Sequence, residues 1–424
     1  MSGHLKLAPF LAGSIVVLHL AAAGCGSSSS DSAPATVDGG GGSTDGPDPG
    51  TDGAPTPDAA GDGGGGCPRV LAPADRARKV VISHPFKASG DKGLDFEVLD
   101  LSAAGLLTRP STPVAFTMGT ALEAPVVFTP DGEVGLVSQD DGSIGVFRLS
   151  PGGGPPVVVH AAFKGDFYAG GIILAPDGSH GWVLDANTRN NGGGVYEIVI
   201  ACDGTLTSRG LVIPGGGATA MALLPTDPSK ALLSAKQAFS SPANTDVHLV
   251  DLAARKLLGS VAAFGDLKAI VSSIAIMGDG KNALVADPGI NTGDRVAVVG
   301  LGPTLTAVGI LQSPFPSVVG SPFGNAAIVL NGDATNQIHV LSYDAAKPAP
   351  FTITGELAYQ FAKPQIPTTA SGIDRGALRG TVLVGENLGV RKLVFAADGK
   401  VTDAARLGYP DAIANIVGVV GVQP

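Results

Sequence analysis

The chain has 424 residues, 44% hydrophobic and only 15% charged, with 62 Gly and 32 Pro. Sparse charge and abundant Gly and Pro between Val, Ala and Leu runs favour short strands and tight turns over long helices. Residues 1–66 hold one Lys and seven Asp, which leaves 26 basic and 30 acidic side chains in 67–424 out of a total charge of −10. That near balance offers no field for a polyanion and argues against nucleic acid as a partner.

In chain order, the first element is an address. "MSGHLK" supplies Lys6, "LAPFLAGSIVVLHLAAA" an apolar run too short for a comfortable membrane span, and "AAAGC" small residues ending at Cys25. Small residues directly before a Cys resemble a bacterial lipobox, with Ala22 where Leu is usual. The expectation is a lipoprotein signal peptide over 1–24, cleaved before Cys25, which is then acylated and anchors the chain to a membrane. An ordinary signal peptide containing a Cys is the competing reading. Gly26 after Cys25 points to the outer membrane, on its periplasmic or its cell-surface side.

From Gly26 to Gly66 the chain contains one Val, no larger apolar side chain and no base. Such a segment cannot bury enough surface to fold, so 25–66 is expected to be a lipidated Cys and a flexible Gly/Ser/Asp/Pro tether. As a random coil it would average about 35 Å end to end. Its aspartates lack the D-x-D-x-D-G order of a calcium loop. With Cys25 acylated, Cys67 and Cys202 remain. Export permits one disulfide between them, if the fold brings the two together.

Residues 67–424 repeat. "FTPDGEVGLVSQ", "ILAPDGSHGWVLD", "LLPTDPSKALLSA", "AIMGDGKNALVAD" and "VGSPFGNAAIVLN" each read as apolar strand, Pro/Asp/Gly turn and apolar strand. Looser copies are "VLAPADRARKVVIS" and "GIDRGALRGTVLVGE". Aligned on the second strand, Val80, Leu136, Trp182, Leu232, Leu284, Ile328 and Leu383 are separated by 56, 46, 50, 52, 44 and 55 residues. A third strand follows each time, and in most copies a fourth. Four antiparallel strands about every 50 residues is the signature of a β-propeller blade, and seven copies predict an all-β, seven-bladed propeller. Ile416–Val422 reads as an eighth inner strand, expected to complete the first blade and close the ring. Arg69–Ala72 is the alternative for that place.

Repeats such as "VVFTPDGEVGLVSQDDGSIGVFRLS" resemble those of the YVTN/lactonase-like seven-bladed propellers, in which an inner strand ends in a Pro-Asp-Gly turn. The resemblance covers about residues 68–424 and is one of pattern. "LVSQ", "VLDA", "LVAD", "VLNG" and "LVGE" stand where the family's tetrapeptide would be. It implies a hydrolase of lactones that works through polar residues on the channel face, though no set of catalytic residues maps onto this chain.

Three residues after each aligned position stand Ser83, Gln139, Asp185, Ala235, Asp287, Asn331 and Glu386. Six of the seven are polar at the ends of apolar strands. In this register they ring one mouth of the channel, with His84, Asp140 and Lys236 beside them. Asp185, Asp287 and Glu386 would converge on a cation or a hydroxyl-rich ligand. The bland alternative is that strand ends are polar because they meet water and cap sheets. No H-E-x-x-H, G-x-S-x-G or phosphate-loop pattern occurs, so no metal, cofactor or catalytic residue is assigned. His248 and His339 occupy equivalent third-strand positions, and the sole Trp, Trp182, reads as packing. Two functions remain: a tethered envelope module that binds a protein or glycan partner, or a lactonase-like hydrolase.

Overall fold

The computed structural model describes residues 66–87, 95–122, 124–150, 154–185, 193–235, 237–238, 244–265, 269–289, 294–332 and 336–424. The expected signal peptide, Cys25 and nearly all of the expected tether lie outside these residues, and so does Lys236. Gly66–Pro424 is one compact unit.

Its strands form seven sheets, five of them built around four strands consecutive in sequence and a sixth around four strands interrupted only by Gln237–Ala238. The second strands are Arg78–Ser83, Val134–Ser138, His180–Asp185, Asp227–Ser234, Asn282–Asp287, Ala326–Asn331 and Thr381–Glu386. Each carries its aligned anchor, from Val80 to Leu383. These strands read as nearly continuous apolar runs because both faces of a blade are covered by neighbouring blades. Asn282–Asp287, Ala326–Asn331 and Thr381–Glu386 are buried at every position. The outer strand Leu305–Gln312 instead shows solvent almost throughout.

Seven apolar clusters form the core, and each joins two consecutive blades. One of them packs Val80, Ile82 and Leu99 of blade one on Leu383 and Val390 of blade seven, which makes the set circular. The C-terminal strand Val420–Val422 supplies the inner strand of blade one, with Val80 opposite Val422 and Ile82 opposite Val420. Closure by this strand gives the first sheet a partner on its inner side and removes an exposed edge.

Arg69–Ala72, the alternative closing strand, forms no strand and belongs to a strap across the turn side. Cys67 N–H donates to Ile200 O (2.9 Å), Arg69 N–H to Asp177 O (2.8 Å) and Ala72 N–H to Pro130 O (2.9 Å). Further on, Ala72 O accepts from Arg375 (2.7 Å) and the Asp75 carboxylate accepts from Ala377 N–H (2.6 Å). The strap thus ties blades three, two and seven together. A disulfide joins Cys67 to Cys202, with Cα atoms 5.0 Å apart.

The recurring acidic turns have a local cause. Asp131, Asp177, Asp227 and Asp279 each accept a hydrogen bond from the N–H two residues on, at 2.9, 3.1, 3.2 and 3.0 Å. The following Gly132 sits at φ 74°, a region that favours glycine. These carboxylates are turn-formers.

Candidate functional site

The seven register positions stand at or just past the same end of their second strands, and none is more than 4% exposed. The polar ones turn inward to partners of their own fold rather than outward to a channel mouth. Ser83 Oγ donates to Ala121 O (2.8 Å) and accepts from Val419 N–H (2.9 Å), which pins the closing strand. Gln139 donates to Ala161 O (2.8 Å) and accepts from Ser143 (2.9 Å). Asp287 accepts from Arg295 Nε at 3.2 Å, and Asn331 Oδ1 from Ser313 Oγ at 2.7 Å. Glu386 takes Arg391 on one oxygen and Arg406 Nε (2.8 Å) on the other. Asp185 is 2% exposed, on the strand beside Ala169 and Gly194. Of the other candidates, Asp140 is half-buried and its carbonyl accepts from the Tyr168 hydroxyl.

Among the described residues no group of three or more His, Cys, Asp or Glu side chains is placed to hold a metal ion, so Asp185, Asp287 and Glu386 form no cation site there. The physical reason is the register itself. Side chains of a second strand point into the faces between blades, so a polar group there is buried and must be satisfied internally.

Two buried polar networks stand out, and the first has no signal in the sequence because its members lie as many as 312 residues apart. In the first, Glu97 accepts from Arg109 Nε (2.6 Å) and Tyr409 OH (3.0 Å) and lies 3.2 Å from His84 Nε2. His84 Nδ1 faces Ile416 O at 3.2 Å, so both ring nitrogens meet acceptors. Burial works against the Glu97 charge, but the hydrogen bonds from His84, Arg109 and Tyr409 outweigh it and hold the carboxyl below its ordinary value. Burial and the neighbouring Glu97 charge push the Tyr409 phenol up. A carboxylate so fully engaged is a poor general base. In the second network Arg391, Glu386 and Asp403 are all 0% exposed, and Arg391 Nη1 donates to Asp403 at 2.6 Å.

One open concavity has different chemistry. Between blades three and four, on the turn side, lies a cleft of about 440 Å³ walled by Trp182, Pro228 and Leu252. Asp177, His180, Glu197 and Arg255 also line it. His180 stands edge-on to Trp182, with ring centres 5.0 Å apart. Arg255 donates to Glu197 Oε2 at 2.9 Å.

No family model matches the chain, and no curated protein matches it. Solved structures do. A protein from Bacteroides fragilis, provisionally described as a 6-phosphogluconolactonase, has a TM-score of 0.58 at 12% identity and covers 83% of this chain and 99% of its own. The periplasmic gluconolactonase of Pseudomonas aeruginosa has a TM-score of 0.56 at 13% identity, over 82% of this chain and 99% of its own. A Lactobacillus plantarum protein reaches 0.59 at 12% identity, over 82% of this chain and all of its own. The likeness is one of fold. At this identity it carries no side chain across, so the chemistry available to this propeller is that of its own residues. On the loop side these stabilise blades. In the cleft, carboxylates, a guanidinium and an imidazole stand beside an indole and can hydrogen-bond a small ligand against an apolar wall.

Proposed function

We propose that this protein is an exported, lipid-anchored propeller of the cell envelope that works as a binding module for a protein or glycan partner. One observation carries the reading: Ser83, Gln139, Asp287, Asn331 and Glu386 are buried and engaged by partners of their own fold. The open cleft between blades three and four does offer polar groups to a ligand. Export is supported by the signal-like segment before Cys25 and by the Cys67–Cys202 disulfide, which an oxidising compartment preserves. The acidic, apolar-poor tether from Gly26 to Gly66 suits a module displayed at a distance from the outer membrane, on its periplasmic or surface side.

The second reading is a lactonase-like hydrolase, favoured by the fold shared with the gluconolactonase and its relative. The discriminating experiment incubates the purified full-length protein with glucono-δ-lactone and related aldonolactones, with and without divalent cations. The binding-module reading expects the uncatalysed rate of ring opening. Turnover above that rate which disappears in Glu97→Gln or Arg109→Ala while the fold persists would establish the hydrolase instead.

A further inference from the structure

We infer that the strap closes over a small free oxyanion, phosphate or sulfate, held between blades seven, one and two by Arg76, Arg78 and Arg375. This site shares no residue with the open cleft and holds whether or not the cleft binds a partner.

The first observation is a buried charge without a counter-charge. Among the described residues two arginines are buried, Arg391 at 0% and Arg78 at 2% exposed. Arg391 meets Glu386 and Asp403. Arg78 meets only main-chain oxygens, Arg76 O at 3.0 Å and Ala74 O at 2.5 Å. Buried charges are ordinarily paired, because desolvating an isolated ion costs more than neutral carbonyls return. The repeat sets Arg78 apart as well. Two residues before the anchor, where blade one has Arg78, the other blades hold Val134, His180, Lys230, Asn282, Ala326 and Thr381. Lys230 is the one permanent cation among these six, and it is 34% exposed and pairs with Asp227 at 2.5 Å.

The second observation is the company Arg78 keeps. Arg375 stands on the turn before the second strand of blade seven, and Arg76 on the strap against the Gly132 turn of blade two. Arg375 Nη1 donates to Ala72 O (2.7 Å), and Arg76 Nη2 reaches Asp131 O (3.5 Å) and Pro424 O (3.4 Å), again main-chain oxygens. Arg76 Nε, Arg78 Nε and Arg375 Nη2 are buried and have no acceptor among the described residues. Burial, then the Arg76 and Arg375 charges, hold the Arg78 guanidinium below its ordinary pKa, against the opposing effect of Asp75 and Asp374. Burial and Arg375 lower Arg76 in the same way, against Asp131. Two of these carboxylates are engaged elsewhere: Asp131 takes Arg69 at 2.7 Å, and Asp75 takes Ala377 N–H at 2.6 Å. Three cations that repel one another, with unanswered buried donors among them, mark a place that an anion fills.

Charge and burial choose the occupant. Arg76, Arg78 and Arg375 outnumber the Asp75 and Asp374 side chains that act on Arg78. Three planar donor forks suit a tetrahedral oxyanion, whose oxygens accept from several directions at once. With Arg78 only 2% exposed, the ion is a free one; a lipid headgroup or a nucleotide would need an open path for the rest of the molecule. The ion is therefore taken up as the strap closes, and it stabilises the segment that joins the tether to the blades.

Full-length protein is dialysed into Tris chloride and titrated with sodium sulfate or phosphate to about 10 mM at constant ionic strength, with Tm followed by circular dichroism. A second sample is unfolded in urea, and the anions it releases are measured by ion chromatography. An anion at about one hundred times its dissociation constant should raise Tm by about 3 °C, and the rise should saturate, whereas salts that act by exclusion raise Tm without saturating. Arg375→Gln keeps an amide donor for Ala72 O and should weaken the saturating response about tenfold or more. Arg78→Met should abolish it, and without added anion should be at least as stable as the wild type, because an unpaired charge is gone. If Arg78→Met does not fold, the wild type and Arg375→Gln decide alone. Neither a saturable rise nor about one equivalent of released phosphate or sulfate overturns the proposal. So does a response in Arg375→Gln equal to that of the wild type, or a wild-type response to acetate or glycerol 3-phosphate equal to that to sulfate.

Discussion

Replacing Glu386 by Gln separates a structural ring from a ligand-binding one. The substitution keeps the shape of the side chain and removes its charge. In the folded protein Glu386, Arg391 and Asp403 are 0% exposed, while Arg406 is 19% exposed, and two guanidinium groups face two carboxylates. Glu386→Gln leaves two cations against Asp403 alone. Uncompensated buried charge of this kind costs about 3–5 kcal/mol. Gly66–Pro424 spans 359 residues. At ~2.1 cal/mol/K per residue its unfolding entropy is about 0.75 kcal/mol/K, so a loss of about 4 kcal/mol lowers Tm by about 5 °C. Thermal unfolding followed by circular dichroism, at one scan rate and one protein concentration, measures it. Asp344→Asn is the control: its ion pair with Lys347 spans 3.8 Å and both side chains are more than half exposed, so its Tm should move by about 1 °C or less. If Glu386→Gln leaves Tm within about 1 °C of the wild type, or raises it as removal of a strained binding carboxylate can, the structural assignment of the ring is refuted.

Other consequences are equally direct. The Cys67–Cys202 bridge closes a sequence separation of 135 residues, so Cys67→Ser with Cys202→Ser should cost up to about 5 kcal/mol and release the strap, read as faster proteolysis at Arg69 and Arg76. Removing the closing segment from Val417 onward exposes the inner edge of Arg78–Ser83, and size-exclusion chromatography should show aggregates or no folded protein; a monomer of wild-type stability would refute closure. His248 is buried, between Ser260 Oγ at 2.9 Å and Ala235 O at 2.8 Å. Burial lowers its pKa below the ordinary 6.5, against the raising effect of the Ala235 carbonyl. The unfolded chain therefore takes up the proton first, and stability is lost as pH falls from about 6.5 through the folded value. Tm measured between about pH 7.5 and about pH 5 should fall less steeply in His248→Gln than in the wild type, apart from the carboxylates' shared acid loss.

The blades were legible because each repeats a local pattern. Val80 through Leu383 mark second strands, and Asp131, Asp177 and Asp279 mark the turns before them, with no knowledge of distant contacts. The closing strand was legible for the same reason, since Ile416–Val422 looks like an inner strand without a blade. The ring positions were found in the right register, yet their environment was not. A polar residue at a strand end reads as solvated unless the covering segment is known, and the segments over Ser83 and Gln139 include Ala121 and Ala161 of neighbouring elements. Glu97 gathers His84, Arg109 and Tyr409 across as many as 312 residues, a convergence no spacing rule encodes. Trp182 was legible as packing and does pack, within the core between blades three and four. That one of its edges borders a cleft depends on Pro228 and Leu252 of the next blade.

A ring of repeats also faces a problem that no single blade has: every inner strand has one edge with no strand beside it. Where the inner strands of neighbouring blades approach, hydroxyls answer the spare donors. Thr369 and Ser371 of blade seven accept from Val420 N–H (2.9 Å) and Val422 N–H (3.1 Å) of the closing strand, and Ser273 of blade five accepts from Val318 N–H (2.8 Å) of blade six. A three-residue closing strand could not hold the seam by its own ladder, and these hydroxyls, with Ser83 on Val419 N–H, extend its bonding to both neighbours. The polar residues of this propeller therefore divide by what they answer. Those on the ring and the inner strands answer the backbone and buried charge of the fold itself. Those around Trp182 line an open cleft, and binding of a partner is to be sought there.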